Sequence, residues 1–152
     1  MKHINEKEKL SIEVFEEYKR VPEEAYDKIG MTKDGKEQTV FMFIMNENGM
    51  FDSFNITKDA VYPSDEKAMN DGVKLNIAVL KASGATLLSE EEITLDNNTN
   101  GKKIVVKMND IKVATLFKSI NGLLLCLGYS YNENLISREE NLIKMFSTLK
   151  RI

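Results

Sequence analysis

The chain has 152 residues, of which 42% are hydrophobic and 30% are charged, values typical of one globular domain. A net charge of −3 argues against nucleic acid as the main partner, and no apolar run approaches the roughly 20 residues that span a bilayer. The one cysteine, Cys126, excludes an intrachain disulfide and lies among leucines, where we expect it to be buried and unreactive.

The first eight residues are charged and show no apolar periodicity, so we expect a disordered or extended tail over 1–8 and a single domain over 9–152. His3, the only histidine, lies in that tail. No hydrophobic signal core is present, which indicates a cytoplasmic protein; export with a removed signal or a lipid anchor stays an alternative. Apolar and polar residues alternate from 9 to 15, which predicts a strand with one buried face.

The next part of the chain predicts a short helix, a turn and a hairpin. Pro22 suits the start of a short helix that Gly30 ends, and the Asp-Gly pair at 34–35 suits a turn. Residues that favour strands are frequent from 38 to 45 and from 50 to 57. The Asn-Glu-Asn-Gly sequence between them turns the chain back, so the two segments predict a hairpin.

A longer helix is predicted from residue 65 to 82. Ser64 is a favourable N-cap, and the first two helical residues are acidic, which suits the positive end of the helix dipole. Apolar side chains then recur at helical spacing until a Ser-Gly pair ends the helix. We expect a short strand over 92–95 and a polar turn over 96–101 to follow.

Residues 102–131 show the clearest pattern, three alternating apolar runs joined by Asn-Asp at 109–110 and Asn-Gly at 121–122. Asn-Gly favours a type I′ turn, because both residues tolerate positive φ, and the turn fixes how the flanking strands pair. The predicted pairs are Met108 with Ile111, Lys107 with Lys112, Ile120 with Leu123, Phe117 with Cys126, Thr115 with Gly128, Ala114 with Tyr129, and Lys112 with Tyr131.

Alternation along these strands makes both faces of the predicted sheet apolar. One face carries Ile104, Val106, Met108, Ile111, Val113, Thr115, Phe117 and Cys126, and the other carries Val105, Ala114, Leu116, Ile120, Leu123, Leu125, Leu127 and Tyr129. An antiparallel sheet with one face in water does not show this pattern, so we expect helices on both faces.

A closing helix completes the predicted fold. A capping-box sequence begins at Ser137, and an apolar helical face follows it, formed by Leu142, Ile143, Phe146 and Leu149. The predicted fold class is therefore α+β, an α/β/α sandwich with a central antiparallel sheet of about six strands flanked by helices.

The order of these elements resembles that of the PsbP-like superfamily (PsbP, Ran-binding Mog and DcrB types) over roughly residues 9–150. The matching stretches are a Leu-Ser-Ile-Glu-Val strand at 10–14, Ala-Thr-Leu-Leu-Ser-Glu-Glu-Glu-Ile-Thr-Leu at 85–95, a glycine-led meander, Leu-Gly-Tyr-Ser at 127–130 and Phe-Ser-Thr-Leu-Lys at 146–150. Where many members have a proline and then a tryptophan after the first strand, this chain has Phe15 and Tyr18. The resemblance implies a central antiparallel sheet between helices and a non-catalytic binding or assembly role.

The sequence contains no motif that names a reaction. A hydrolase triad needs a base, and zinc needs a cluster of cysteine and histidine, whereas His3 stands alone in the predicted tail. Glu90, Glu91, Glu92 and Asp96 form an acidic cluster, and paired carboxylates can perform acid-base chemistry or bind a hard cation. Alternation along a strand points neighbouring residues to opposite faces, which favours a solvated acidic edge. We therefore expect no metal and no cofactor.

Positive charge concentrates in the last third of the chain. Residues 101–152 carry 9 basic and 4 acidic side chains, whereas residues 1–100 carry 12 and 20. The predicted pairing of two lysines across strands is unfavourable unless something compensates, and lysine stems that cover apolar surface are the simpler explanation. The alternative is a binding patch for an acidic partner, formed by Lys103, Lys107, Lys112, Lys118, Tyr129 and Tyr131.

Three functions follow from these patterns. The leading hypothesis is a non-catalytic module that binds another protein through the basic, aromatic end of the meander. The second is a carrier or chaperone that holds an apolar ligand or segment between sheet and helix, which the methionine and phenylalanine content of residues 41–54 supports. An enzyme that uses the acidic cluster is the third.

Overall fold

A computed structural model describes residues 1–47, 49–95, 99–131 and 136–152, and two antiparallel sheets form its framework. The strands are β1 (Lys2–Asn5), β2 (Leu10–Glu13), β3 (Lys19–Arg20), β4 (Thr39–Glu47), β5 (Met50–Val61), β6 (Thr86–Thr94), β7 (Asn100–Met108), β8 (Ile111–Ile120), β9 (Leu123–Ser130) and β10 (Lys150–Arg151). The larger sheet has seven strands in the order β3-β4-β5-β9-β8-β7-β6, and the smaller has three in the order β1-β2-β10. The predicted α+β class is confirmed, with seven strands in the central sheet.

The helices lie between strands of the large sheet and before β10. They are two 3₁₀ turns (Glu23–Ala25 and Asp27–Ile29), α1 (Lys33–Gln38), α2 (Asp65–Lys67), a π-helical segment (Ala68–Gly72), α3 (Val73–Ala82) and α4 (Ile136–Ser147). The helix predicted over 65–82 is confirmed as α2, the π-helical segment and α3 in succession. Its N-cap is also confirmed, because the Ser64 hydroxyl accepts a hydrogen bond from the Lys67 N–H at 3.1 Å. No helix in the described ranges is long and apolar enough to span a membrane.

The predicted pairing of the meander is confirmed residue by residue. Lys107 pairs with Lys112 and Met108 with Ile111 between β7 and β8. Between β8 and β9 the pairs run from Ile120 with Leu123 to Ala114 with Tyr129, and the Tyr131 N–H extends the register by donating to the Lys112 carbonyl. The two short turns therefore predicted the alignment of three strands correctly. Of the two, Asn121-Gly122 has the two positive φ values that a type I′ turn requires, whereas at 109–110 only Asn109 has a positive φ.

Both faces of the meander are buried, and a different layer covers each. The face that we call the α3 face contributes Ile104, Val106, Phe117, Leu124 and Cys126 to a core with Val73 and Ile77. The opposite face, which we call the α4 face, contributes Val105, Ala114, Leu116, Leu125 and Leu127 to a larger core with Leu142 and Phe146 of α4 and with Leu10 and Ile12 of β2. The prediction of helices on both faces is confirmed, and the small sheet shares the α4 side.

The Asn-Gly turn between β8 and β9 also holds the start of α2. Asn121 and Gly122 have φ values of 51° and 84°, as a type I′ turn requires. The Gly122 carbonyl accepts a hydrogen bond from the Tyr62 N–H at 2.8 Å. The Gly122 N–H donates to Asp65 Oδ1 at 2.7 Å. The Ser119 hydroxyl donates to the same oxygen at 2.7 Å. One hairpin turn thus fixes the entry of the helix that covers the α3 face.

Two segments near the N-terminus differ from the sequence-based expectation. Residues 2–5, which we expected to belong to a disordered or extended tail, form β1 and pair with β2. This segment has no apolar alternation, and its pairing with β2 holds it in place. The buried Asn5 amide also holds it, by donating to the Val40 carbonyl at 2.9 Å. The turn expected at 34–35 is wrong, because these residues lie inside α1. The Thr32 side chain caps that helix by accepting from the Gly35 N–H.

Two boundaries also differ later in the chain. The strand expected over 92–95 is longer and spans β6, because residues from Thr86 onward pair with β7. The sequence did not indicate the added residues, since most of the β6 side chains are exposed and show no alternation. The capping box expected at Ser137 is wrong, since α4 already includes Ile136 and Ser137 lies within its first turn. Asp96 and part of the turn expected over 96–101 lie outside the described residues.

Candidate functional site

The six residues predicted to form a basic and aromatic patch lie on the α4 face of the meander, but at different depths. Lys107 is exposed, Lys112 and Tyr131 are half-buried, and the buried members are Lys103, Lys118 and Tyr129. Lys107 lies opposite Lys112, as the pairing predicted. The set therefore divides into a surface group near the first turn of the meander and a buried group that contacts α4.

Lys103 and Tyr129 meet at one carboxylate of α4. The Lys103 Nζ donates to Glu139 Oε1 at 2.6 Å, and the Tyr129 hydroxyl donates to Glu139 Oε2 at 2.6 Å. Burial would lower the pKa of Lys103, but the hydrogen bond and charge of Glu139 outweigh it and raise that pKa. Burial, and then the same carboxylate, raises the pKa of Tyr129. The arrangement keeps one ion pair and one phenol fixed, so these groups anchor the start of α4 to the sheet.

Arg138 joins β5 and β9 where their backbone pairing stops. The last pair between these strands in this direction is Asn55 with Gly128. Beyond it, Arg138 donates from Nη1 to the Ser130 carbonyl at 3.0 Å and from Nε and Nη2 to the Asp52 carboxylate at 3.1 and 2.6 Å. The guanidinium thus bridges the separating strands with charge-assisted hydrogen bonds.

Asp52 titrates below its usual range because of its donors. Burial would raise the pKa of this carboxyl group, but hydrogen bonds from Arg138 and Tyr18 outweigh burial and hold the pKa below its usual 3.8. The Tyr18 hydroxyl donates to Asp52 Oδ2 at 2.7 Å, and burial followed by this bond raises the pKa of Tyr18. Stability that depends on the ionised Asp52 is therefore sensitive to acid.

We expect Asp52→Asn to lower the free energy of unfolding by about 2 kcal/mol near neutral pH, because an amide cannot accept both guanidinium bonds. The folded pKa lies below the unfolded value of about 3.9, so this stabilisation is complete above about pH 4 and is lost as the pH falls through the folded pKa. Urea unfolding as a function of pH should show the two proteins converging in acid. The exposed Glu140→Gln is the matched control, and a difference between wild type and Asp52→Asn that stays constant with pH would contradict the prediction.

Lys118 closes the C-terminal end of α4. Its side chain is buried, and its Nζ donates to the carbonyl oxygens of Ser147 at 3.0 Å and Leu149 at 2.6 Å. The last carbonyls of a helix lack partners within the helix, and a cation there also suits the helix dipole. The sequence carried one signal of this role, a lysine in the stripe between the apolar Leu116 and Ile120.

The acidic cluster on β6 is distributed over two faces and paired with lysines. Glu91 lies opposite Lys103 and 3.6 Å from its Nζ, whereas Glu90 points to the other face and lies 3.6 Å from the Lys102 Nζ. The described ranges contain no group of three or more histidine, cysteine, aspartate or glutamate side chains that could hold a metal ion. The carboxylates therefore stabilise the pairing of β6 with β7.

The cysteine is buried in the core on the α3 face, and the histidine lies against an aromatic ring. Burial raises the pKa of Cys126 to about 12, so the thiol is a poor nucleophile near neutral pH, as the sequence predicted. The His3 ring packs edge-on against Phe43 with ring centroids 4.9 Å apart. Burial, and then the charge of Arg20, lowers the pKa of His3.

The α3 face is covered only in part. Across β4, β5 and β9 the same side of the sheet extends beyond α3 and stays at least partly exposed. The pairing places six residues there in two rows, Met42, Asn55, Gly128 and Thr115 in one and Ile44 and Ser53 in the next. We call these six residues the open strip.

One side of α3 forms a wall beside the open strip. Leu75 and Val79, one helical turn apart, are 54% and 58% exposed and line a cavity of about 480 Å³ together with Asn55 and Gly128. A shallower depression of about 330 Å³ continues from Asn55 and Gly128 toward Phe51, which is 68% exposed. Small polar groups thus form a floor between apolar side chains, a lining that suits an amphipathic binding partner.

The sequence did not predict this surface. Its only signal was the methionine and phenylalanine content of residues 41–54, which supported the hypothesis of an apolar ligand. Periodicity showed that the meander has two apolar faces, but the area that a helix covers depends on where its axis crosses the sheet. The exposed positions of Leu75 and Val79 follow from that placement.

Comparison with solved structures identifies the architecture. The chain superposes along its whole length on 92% of the solution structure of cyanobacterial PsbP (CyanoP) from Synechocystis sp. PCC 6803, with a TM-score of 0.60 and 11% identity. A crystal structure from Bacteroides thetaiotaomicron matches 99% of the chain over 48% of its own length, with a TM-score of 0.50 and 10% identity. No protein-family model and no curated protein matches the sequence. The resemblance expected from the sequence is confirmed at the level of the fold.

Proposed function

Given this PsbP-like fold, we propose that the protein is a non-catalytic module that binds another protein through the open strip and the exposed side of α3. The observation that carries the proposal is the half-covered α3 face, where Leu75 and Val79 stand exposed beside a shallow floor. Contiguous exposed apolar side chains on a soluble domain mark interaction sites. Methionine and aromatic residues, here Met42 and Phe51, are enriched where proteins meet.

The chemistry of the surface supports binding to an apolar segment of a partner. The wall is aliphatic, and the floor offers the Asn55 amide and the Thr115 hydroxyl for hydrogen bonds to a polypeptide. The depressions are shallow and open to solvent, which suits a protein surface better than a small enclosed ligand. The groups with catalytic potential have other roles, because the Cys126 thiol is buried and Glu91 and Glu139 hold Lys103.

The exposed part of the predicted basic set supports protein binding at a second place. Lys107, Lys112 and Tyr131 lie on the α4 face at the first turn of the meander, where Lys107 is exposed and the other two are half-buried. A partner with an acidic segment would complement this end and would contact the aromatic ring of Tyr131. We propose it as a peripheral contact, since the exposed apolar side chains of Leu75, Val79 and Phe51 flank the open strip instead.

The double variant Leu75→Asp/Val79→Asp tests the proposal. A photo-crosslinker placed at residue 79 identifies the partner in the source cell, and the complex is then rebuilt from purified proteins. We expect the variant to weaken the dissociation constant at least tenfold, because two carboxylates would be buried against apolar surface. Both positions are exposed, so the fold should be retained, which circular dichroism checks.

The matched control is Ile29→Asp/Leu88→Asp, which changes two other apolar residues that are 52% and 46% exposed. Equal loss of binding in both double variants would contradict a specific site at α3. The alternative function, a carrier for an apolar small molecule, predicts an added mass on the purified protein in native mass spectra. Such a mass, lost in Leu75→Asp/Val79→Asp, would replace the protein-binding proposal.

A further inference from the structure

A separate cavity of about 450 Å³ lies where the small sheet meets the end of β5. The turn between β1 and β2 and the strand β10 contribute to one side of it, and β5, β8 and β9 contribute to the other. It shares only Lys58 and Asp59 with the cavity beside α3. The proposed protein-binding surface therefore does not account for it.

One wall of this cavity is apolar. Val61, Ile120 and Leu123 line it, and Val61 is 72% exposed. The register of the pairing between β5 and β9 shifts between Lys58 and Val61, so the regular hydrogen-bonded ladder is interrupted just before Val61. The result is an aliphatic side chain that faces solvent beside two half-buried ones.

The other wall is cationic. Lys7, Lys9 and Arg151 are exposed, and within the described part of the chain none of their side chains has an ion-pair or hydrogen-bond partner. The lining also includes two acidic side chains. Glu8 pairs with the Lys58 Nζ at 2.5 Å, and Asp59 accepts a hydrogen bond from the neutral Asn76 amide at 2.7 Å. The lining therefore has four basic and two acidic side chains, an excess of positive charge next to an apolar wall.

The backbone at Lys9 gives the cationic wall its shape. Lys9 has a φ of 58°, in the left-handed region that favours glycine, and its carbonyl accepts a hydrogen bond from the Ile152 N–H at 3.0 Å. This bond and the pairing of Arg151 with Leu10 hold the turn and β10 side by side. Backbone hydrogen bonds and strand pairing thus fix the positions of the segments that carry the three cations.

We propose that this cavity binds an amphipathic anion, an apolar chain of medium length with one carboxylate or phosphate head group. The chain would lie on Val61, Ile120 and Leu123, and the head group would contact Lys9 and Arg151. Neither part suffices, because an exposed lysine binds a small anion weakly in water and the apolar wall is small. The two parts together define the ligand class.

Titration calorimetry with decanoate, below its micelle concentration and at low salt, tests the inference on the full chain. Decyl phosphate in a parallel titration shows which head group is preferred. Decanoate should bind at least tenfold more tightly than decanol, which lacks the charge, and more tightly than inorganic phosphate, which lacks the chain. Lengthening the chain from octanoate to decanoate should strengthen binding by up to about fourfold per methylene.

Lys9→Gly/Arg151→Gln should weaken decanoate binding at least tenfold and leave the thermal midpoint unchanged or higher, because glycine relaxes the backbone at residue 9. Val61→Asp should also abolish binding while it keeps the three cations. The control Lys28→Gln/Lys144→Gln removes two exposed lysines elsewhere and should bind as the wild type does.

The inference is overturned if neither decanoate nor decyl phosphate binds, if decanol binds equally well, or if the Lys9 and Arg151 variant is unaffected. None of these outcomes bears on the partner complex at α3.

Discussion

Gly122→Ala is expected to lower the free energy of unfolding by about 3–4 kcal/mol. Gly122 has a φ of 84°, and a side chain in this region adds roughly 1–2 kcal/mol of backbone strain. A Cβ at this position would also overlap the Tyr62 carbonyl oxygen, which is backbone and cannot rotate away. Relief would require separating the turn from the connection to α2, which overpacking penalties put at about 1–3 kcal/mol more.

The matched control for this prediction is Gly30→Ala. Gly30 has a similar φ of 77°, but a Cβ there meets nothing within 4 Å. Its substitution should therefore show the backbone strain alone, about 1–2 kcal/mol, and urea unfolding of both variants measures the difference. Equal effects would mean that the turn does not press against the Tyr62 backbone.

Lys118→Met is expected to destabilise the protein by about 3 kcal/mol. The methionine keeps the aliphatic stem, but the Ser147 and Leu149 carbonyls lose the ammonium that bonds them. Each buried polar group without a partner is destabilising by about 1–3 kcal/mol, and the favourable charge at the end of α4 is lost as well.

Lys107→Met is the control, because Lys107 lies on the same face but is exposed, and its substitution should stay within about 0.5 kcal/mol of the wild type. Denaturant unfolding measures both variants. Hydrogen exchange adds a local test, since amides near the end of α4 should lose protection in Lys118→Met alone. A neutral Lys118→Met would contradict its role at the end of the helix.

The elements that the sequence predicted correctly are those whose signals are local. Ser64 and the helical stripe after it define α2 to α3, and Asn121-Gly122 aligns β8 with β9. β1 could not be predicted, since its four residues have no apolar alternation and owe their conformation to pairing with β2. The Asp-Gly pair at 34–35 misled for a similar reason, because Thr32 places it in the first turn of a helix.

The candidate sites depend even more on contacts between distant residues. Alternation correctly placed Lys103 and Lys118 on one face, but their burial follows from Glu139 and the end of α4. The open strip exists because α3 crosses only part of the sheet, and no periodicity encodes that position. The cationic cavity joins residues near 9, 61 and 151, which only the complete fold brings together.

The small sheet has a consequence for the order of folding. Its strands β2 and β10 pair Ser11 with Lys150, so closing this contact orders a loop of nearly the whole chain. The meander needs only two-residue loops, which close much faster, and contacts of long sequence separation form late. We therefore infer that the pairing of β10 with β2 is absent from the folding transition state. Substitutions that weaken β10 would accelerate unfolding and leave the folding rate nearly unchanged.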